Sequence, residues 1–318
     1  MLDGYFLRDY KQPDKEGLVM EIRVLRYFLA VAREGSVTGA ANLLHVTQPT
    51  LSRQLKDLEE ELGTKLLVRH SHSVSLTPDG MRLRKRAEEV VDMIEKTEAE
   101  FAVKEESVGG DIHIGAGETR VMRHVAEVIT ELRKDYPNIH IHLYSGNLED
   151  VTERLDKGLL DFGVLIQPAD LSKYDYVNLP EKDVWGVVTR KDSALAAREV
   201  VTRQDLLGEP LILSRQAIRR TVAKNEFIEW FKGDFEKLDV VATLNLVYNA
   251  AILAECGIGH VVSLDGLVNT SEDSNLCFRF LEPRLESGLN IVWKKYQVFS
   301  PAAEIFLQKI QEHFGTIV

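Results

Sequence analysis

The chain has 318 residues, 44% of them hydrophobic and 28% charged, with a formal net charge of -11. That length favours two or more domains, and the composition can bury a core. The acidity excludes a chain that binds nucleic acid over its whole surface, and the two cysteines exclude a disulfide scaffold.

Residues 1–19 carry Asp3, Asp9, Asp14 and Glu16 and no continuous apolar stretch. They are expected to be a disordered or extended N-terminal segment, not a secretory signal. From Glu21 to Arg33, Ile22, Leu25, Phe28, Leu29 and Ala32 recur at helical spacing, and Gly35 ends the run. Val37 to Leu44 reads as a second short helix with small Ala40 and Ala41. His45-Val46-Thr47 is a tight connection to a third helix over Gln48 to Leu62. Thr47 is its N-cap and Pro49 sits in the first turn, where a missing N–H does no harm. Leu51, Leu55, Leu58 and Leu62 form one buried stripe, and Gly63 closes the helix. Leu66 to Thr77 reads as a small hairpin, giving a first domain over residues 20–77. From Pro78, Leu83, Ala87, Val90, Ile94, Thr97 and Phe101 make a heptad seam that predicts a dimerising linker helix over 78–107. Ser107-Val108-Gly109-Gly110 reads as a hinge.

Beyond the hinge the pattern becomes α/β. Strands are expected at Ile112–Ile114, Ile139–Tyr144, Phe162–Ile166, Val184–Thr189, Leu211–Leu213, Val240–Leu244, His260–Ser263, Leu276–Leu281 and Leu289–Trp293. Helices are expected at Val121–Tyr136, Leu148–Leu159, Ala217–Phe231, Leu246–Glu255 and Pro301–Phe314. Such alternation implies a parallel sheet with right-handed crossovers. The fold class is therefore α+β multidomain, with a helical N-terminal unit ahead of an α/β half. No apolar run is long enough to span a bilayer, so no membrane partner is expected, and the location is read as cytoplasmic.

Two short helices, a three-residue turn and a third helix make a helix-turn-helix. With the leucines of the third helix turned inward, Gln48, Thr50, Arg53 and Gln54 occupy the outer face, flanked by Ser52 and Lys56. These side chains suit a major groove: Arg pairs with guanine, Gln with adenine, and short hydroxyls reach phosphates or base edges. Between Ser36 and Arg86, eight basic side chains face five acidic ones, a local charge of +3. Double-stranded DNA is the partner this pattern predicts.

Phe28-Leu29-Ala30-Val31-Ala32, Gly35-Ser36, Ala40-Ala41, Leu44, Val46 to Ser52, Leu58-Glu59, Leu62-Gly63, Leu66-Leu67, Arg69 and Leu76 to Gly80 together resemble the LysR-type signature. The resemblance implies a winged helix-turn-helix, a dimerising linker helix and a periplasmic-binding-protein-like effector domain of two subdomains. It also implies a transcription regulator rather than an enzyme. The chain would act as a homodimer or homotetramer, with RNA polymerase as a further partner. Expected DNA contacts are Gln48, Pro49, Thr50, Ser52, Arg53, Lys56, Arg69 and His72. His72 stands where a wing arginine is common, and Leu66-Leu67 replaces the phenylalanine usual before the wing.

The effector domain would cover 108–318, with subdomain one at 108–167 plus 299–318 and subdomain two at 168–298. In the family a small-molecule effector sits between the subdomains, where strand ends and helix N-termini meet. The positions here are Gly117, Glu118, Thr119, Ser145, Gly146, Asn147, Gln167, Ser214, Asn245, Leu246 and Val247, with Gln167-Pro168 at the expected crossing. Glu118 departs from relatives that take carboxylates, because it would repel an anion unless Arg120 compensates. No nucleophile elbow, phosphate loop or zinc triad is present, and no cofactor is expected. His70 and His72 lack a third metal ligand, and Cys256 and Cys277 read as buried structural residues.

Overall fold

The computed structural model describes residues 20–70, 73–102, 109–218 and 225–315, with backbone alone at 99–102. The expectations for residues 1–19, for His72, and for the hinge at Ser107 and Val108 lie outside the described residues. The chain forms two compact units that part between Glu98 and Ala99.

The first unit contains α1 (Ile22–Glu34), α2 (Val37–Leu43), α3 (Gln48–Leu62), β1 (Leu67–Arg69), β2 (Val74–Leu76) and α4 (Pro78–Ala102). Local chemistry sets the boundaries. The Ser36 and Thr47 hydroxyls accept the backbone N–H groups of Gly39 and Thr50 at the starts of α2 and α3. Gly35 and Gly63 end α1 and α3 with φ of 60° and 65°, a conformation that glycine adopts without a Cβ clash. Phe28, Val31, Ala40, Leu51, Leu55 and Leu58 fill the core. The antiparallel hairpin of β1 and β2 closes over one side. The seam on α4 is divided. Ala87 and Val91, with Leu83 partly buried beside them, pack into this core, whereas Val90 is 43% exposed.

The second unit has two lobes. Its first sheet runs in the order β4 (Ile139–Ser145), β3 (Gly110–Ala116), β5 (Phe162–Ile166), β14 (Leu289–Lys294), β6 (Tyr174–Asn178). α5 (Met122–Asp135) and α9 (Pro301–Phe314) cover one face around Phe162 and Phe306. α6 (Leu148–Asp156) covers the other through Val151 and Leu155. Its close approach explains Gly163, where a Cβ would lie 2.7 Å from the Leu155 side chain.

The second sheet runs β10 (Asp239–Leu244), β9 (Pro210–Ser214), β11 (His260–Leu264), β7 (Asp183–Arg190), β12 (Leu276–Glu282), β8 (Val200–Thr202), with β13 (Glu286–Ser287) paired to β7. α8 (Val247–Glu255) packs on one face against Ile212 and Val261. α7 (Glu226–Trp230) contributes Phe227 and Trp230 to the other.

Four expectations need correction. Neither sheet is wholly parallel, because β14 runs antiparallel to β5 and β6, and β7 antiparallel to β11 and β12. β6 and β14 belong to the first lobe, so the chain leaves that lobe after Asn178 rather than at 168. It returns by Leu289 rather than at 299. Of the helix expected over Ala217–Phe231, the described residues show a turn at Ala217 and Ile218 and the five helical residues of α7. α7 starts late because Asn225 caps it, accepting from the Ile228 N–H while its amide binds the Ala217 carbonyl. Cys277 is buried, but Cys256 is exposed just beyond α8.

Candidate nucleic-acid interface and ligand cleft

α3 separates its residues by face. Leu51, Leu55 and Leu58 are at most 1% exposed, whereas Gln48, Pro49, Thr50, Arg53 and Lys56 are exposed and Ser52 is half-buried. Several of these groups hold one another in place. Gln48 Nε2 donates to Ser52 Oγ at 2.9 Å, and the Thr47 and Thr50 hydroxyls lie 2.8 Å apart. Arg53 stands 3.9 Å from Asp57, and Lys56 3.0 Å from Glu60. Such exposed pairs are worth under about 1 kcal/mol, so DNA phosphates or bases can replace them. Arg69 is exposed at the end of β1.

Sequence reasoning did not foresee the role of Glu59. It lies among three acidic residues near the end of α3, yet it is buried. Its Oε1 accepts the N–H groups of Leu66 at 2.9 Å and Leu67 at 3.1 Å, and Lys65 Nζ meets Oε2 at 2.7 Å. Burial works to raise its pKa, but the Lys65 hydrogen bond and the two amides outweigh it and hold the carboxyl below the usual range. The reading helix and the base of the wing are thus tied by one side chain. Gly80 tightens the same corner, since a Cβ there would fall 2.1 Å from the Leu66 carbonyl oxygen.

In the second unit a cleft of about 730 Å³, its open mouth included, lies between the lobes. It brings together Gly117, Glu118, Gly146, Asn147, Gln167, Ser214, Asn245, Leu246 and Val247 from the expected set. Thr119 and Ser145 are not on its wall. Thr119 is buried, with Oγ1 accepting the Val121 N–H at 2.9 Å, and Ser145 is exposed at the end of β4. Sequence reasoning missed Trp185, Gln216, Glu226, Phe227 and Leu267, which also line the cleft. Trp185 and Phe227 sit with ring centroids 4.9 Å apart, and the indole N–H donates to Ser287 Oγ at 2.9 Å. Neither aromatic ring lies in a turn or glycine-rich strand end, which were the signals used to find the rim.

Polar contacts join the lobes, among them Gln216 Nε2 donating to the Ile166 carbonyl at 3.5 Å. Glu118 Oε2, from the first lobe, accepts the Val247 N–H at the start of α8. In return Gln216 Oε1, from the second lobe, accepts the Leu148 N–H at the start of α6 at 3.1 Å. Each lobe therefore places a side-chain oxygen on a helix N-terminus of the other, where the helix dipole favours negative charge. Arg120 completes the set, pairing with Asp265 at 2.6 Å and with Glu181 at 3.4 Å. Among the described residues it makes no ion pair with Glu118.

Charge is concentrated behind this contact. His124 Nε2 stands 3.1 Å from Glu181, and that hydrogen bond leads the effects that hold the Glu181 carboxyl below its ordinary value. Asp183, at the start of β7, is 1% exposed, and neither carboxylate oxygen has a hydrogen-bond partner among the described residues. Burial pushes its carboxyl up to about 6, against the pull of the nearby Thr119 hydroxyl and Arg120 charge. Among the described residues no group of His, Cys, Asp and Glu side chains is arranged to hold a metal ion, and no helix is long and apolar enough to cross a membrane.

Residues 22–81 match the bacterial regulatory helix-turn-helix protein of the lysR family, and residues 105–315 match the LysR substrate binding domain. The chain is 28% identical over 298 residues to the HTH-type transcriptional regulator YvbU of Bacillus subtilis (strain 168), covering 93% of this chain and 99% of YvbU. It is also 28% identical to the Hca operon transcriptional activator HcaR of Escherichia coli (strain K12), covering 94% of this chain and 99% of HcaR. Among solved structures, full-length CbnR complexed with its target DNA shares the fold, with a TM-score of 0.69 at 20% identity over 92% of this chain and 100% of CbnR. With a helix-turn-helix in the first unit, a two-lobed cleft in the second and both halves matched in order, the chain belongs to the LysR family, whose members are DNA-binding transcription regulators with an effector-binding domain and not enzymes.

Proposed function

We propose that promoter DNA is read by Gln48, Pro49, Thr50, Ser52, Arg53 and Lys56 on α3, with Arg69 and His72 contributing from the wing. A small molecule in the cleft then alters how that DNA is held. Gly117, Glu118, Gly146, Asn147, Gln167, Ser214, Asn245, Leu246 and Val247 are its contacts, with Thr119 and Ser145 shaping the adjoining turns. One observation carries the DNA half of this reading: α3 buries its leucine stripe while its polar flank stands in solvent. A helix anchored from behind is free to enter a major groove.

The chain works in the cytoplasm as a homodimer or homotetramer that meets RNA polymerase at the promoter. The exposed Val90 on α4 supports pairing through that helix. The ligand acts by preferring one arrangement of the lobes, and the coupling is no larger than that preference. The test is an operator titration at fixed salt with Arg53→Ala. Loss of about 1–3 kcal/mol in specific binding is expected, with non-specific binding much less affected. Unaltered operator affinity would remove Arg53 from the reading face.

A further inference from the structure

We infer that the effector is a small organic cation, a protonated amine on an apolar body, and not a carboxylate. The inference rests on the cleft being the effector site and names the chemical class that site takes. Among the described residues, the cleft wall has two carboxylates, Glu118 and Glu226, and no lysine, arginine or histidine. Glu226 is exposed and makes no ion pair among the described residues. An anion entering the cleft would meet two like charges and, among the described residues, no cationic side chain.

The backbone offers an anion no better seat. A helix N-terminus can receive a carboxylate through its free N–H groups. At α8 that place is held by Glu118, whose Oε2 accepts the Val247 N–H. At α6 it is held by Asn147, which accepts from Glu149 and Asp150, and by Gln216, which accepts from Leu148. The starts of α6 and α8 are thus already supplied with oxygen by the protein, and at α7 the Asn225 side chain accepts the Ile228 N–H. Arg120, the nearest cation in sequence to Glu118, is committed to Asp265 and Glu181.

The remaining wall suits the other end of such a ligand. Trp185 and Phe227 present a pair of rings, with Leu264 and Leu267 beside them. Aromatic faces attract cations as well as apolar carbon, so an arylalkyl amine finds both halves of its chemistry answered. The ammonium pairs with Glu118 while the body lies along the rings and leucines.

The test uses the full chain and a matched set of probes: phenethylamine, phenethyl alcohol, 3-phenylpropionate and phenylalanine. Binding is read from tryptophan fluorescence and from thermal unfolding. Phenethylamine is expected to bind at least about tenfold more tightly than the carboxylate, a gap of about 1.4 kcal/mol. Glu118→Gln keeps an oxygen for the Val247 N–H but removes the charge, so it should abolish that preference without lowering the melting temperature. Glu226→Gln should reduce it.

If the carboxylate or the alcohol binds as well as the amine, the inference falls and the cleft remains the effector site. Silence from the amine up to about 10 mM also overturns it. Ala217→Trp, which fills the cleft, separates the two levels. Binding of any probe that survives this change would remove the cleft as the effector site.

Discussion

The reading unit and the sensing unit place their chemistry in opposite ways. In the first, the groups proposed to meet DNA stand outside a helix whose leucines are buried, and neighbours in sequence are neighbours in space. In the second, the groups proposed to meet a ligand line an interior wall, and Glu118 meets Val247 across 129 positions of chain. A surface helix needs only one good core behind it. A cleft needs two cores held at a set separation, and here polar contacts hold them. The comparison teaches that damage to hydrophobic packing should silence DNA recognition, whereas damage to a few polar contacts should alter sensing.

The strongest way to break this contrast is Phe28→Ala. Phe28 is fully buried in the first unit, and its truncation should cost about 3–5 kcal/mol there. Operator binding should collapse. All three tryptophans, Trp185, Trp230 and Trp293, lie in the other unit, so their thermal transition should stay in place. A parallel fall in that fluorescence transition would show that the units do not unfold separately.

A smaller loss is expected from Glu59→Ala. It leaves the Leu66 and Leu67 N–H groups without their acceptor, at a cost of about 2–3 kcal/mol. Because the Glu59 carboxyl sits below its ordinary value, its stabilisation is present above the ordinary carboxylate value of 4.5 and is lost as pH falls through the folded value. Urea titrations of the two proteins should therefore converge in acid. A gap that persists in acid would assign the effect to packing rather than charge.

Asp183→Asn tests the opposite sign. The Asp183 carboxyl is raised from 3.8 to about 6 in the fold. Its favourable contribution is complete below the unfolded value and is lost as pH rises through the folded one. The Asn variant does not titrate, so it should gain on the parent between those two values and hold about 1–3 kcal/mol of advantage at neutral pH. Equal stability of the two proteins at pH 8 would contradict the burial of an unpaired charge. The smallest effect belongs to Asp57→Asn. Its exposed contact with Arg53 at 3.9 Å should contribute less than about 0.5 kcal/mol to the fold, while freeing Arg53 should tighten operator binding slightly.

These two arrangements also explain what the sequence made legible. α3 falls on the residues its stripe, cap and closing glycine predict, Gln48–Leu62, because those signals all lie within one helix. α9 matches its expected range for the same reason. Tyr174–Asn178 lacks a clean strand alternation, because Tyr176 and Val177 are adjacent and Asp175 and Asn178 are polar, and it becomes a strand only by pairing with β14. Missing that pair displaced both lobe crossings. The cleft rim was visible as turns at strand ends, since turns have local chemistry. The Trp185 and Phe227 wall was not visible, because a residue from a strand and one from a short helix meet only after folding. Cys256 looked like a core residue beside apolar neighbours, but the helix ends one residue earlier and turns it to solvent.

Glu59 has one more consequence. Because a single carboxylate clamps the end of α3 to both amides at the base of β1, the head behaves like a calliper with its jaws locked. On the proposed mode of reading, a head tied in this way grips the double helix at one width. Operators that vary in groove dimensions must therefore deform to fit it, and their stiffness enters the affinity even at base pairs that no side chain touches.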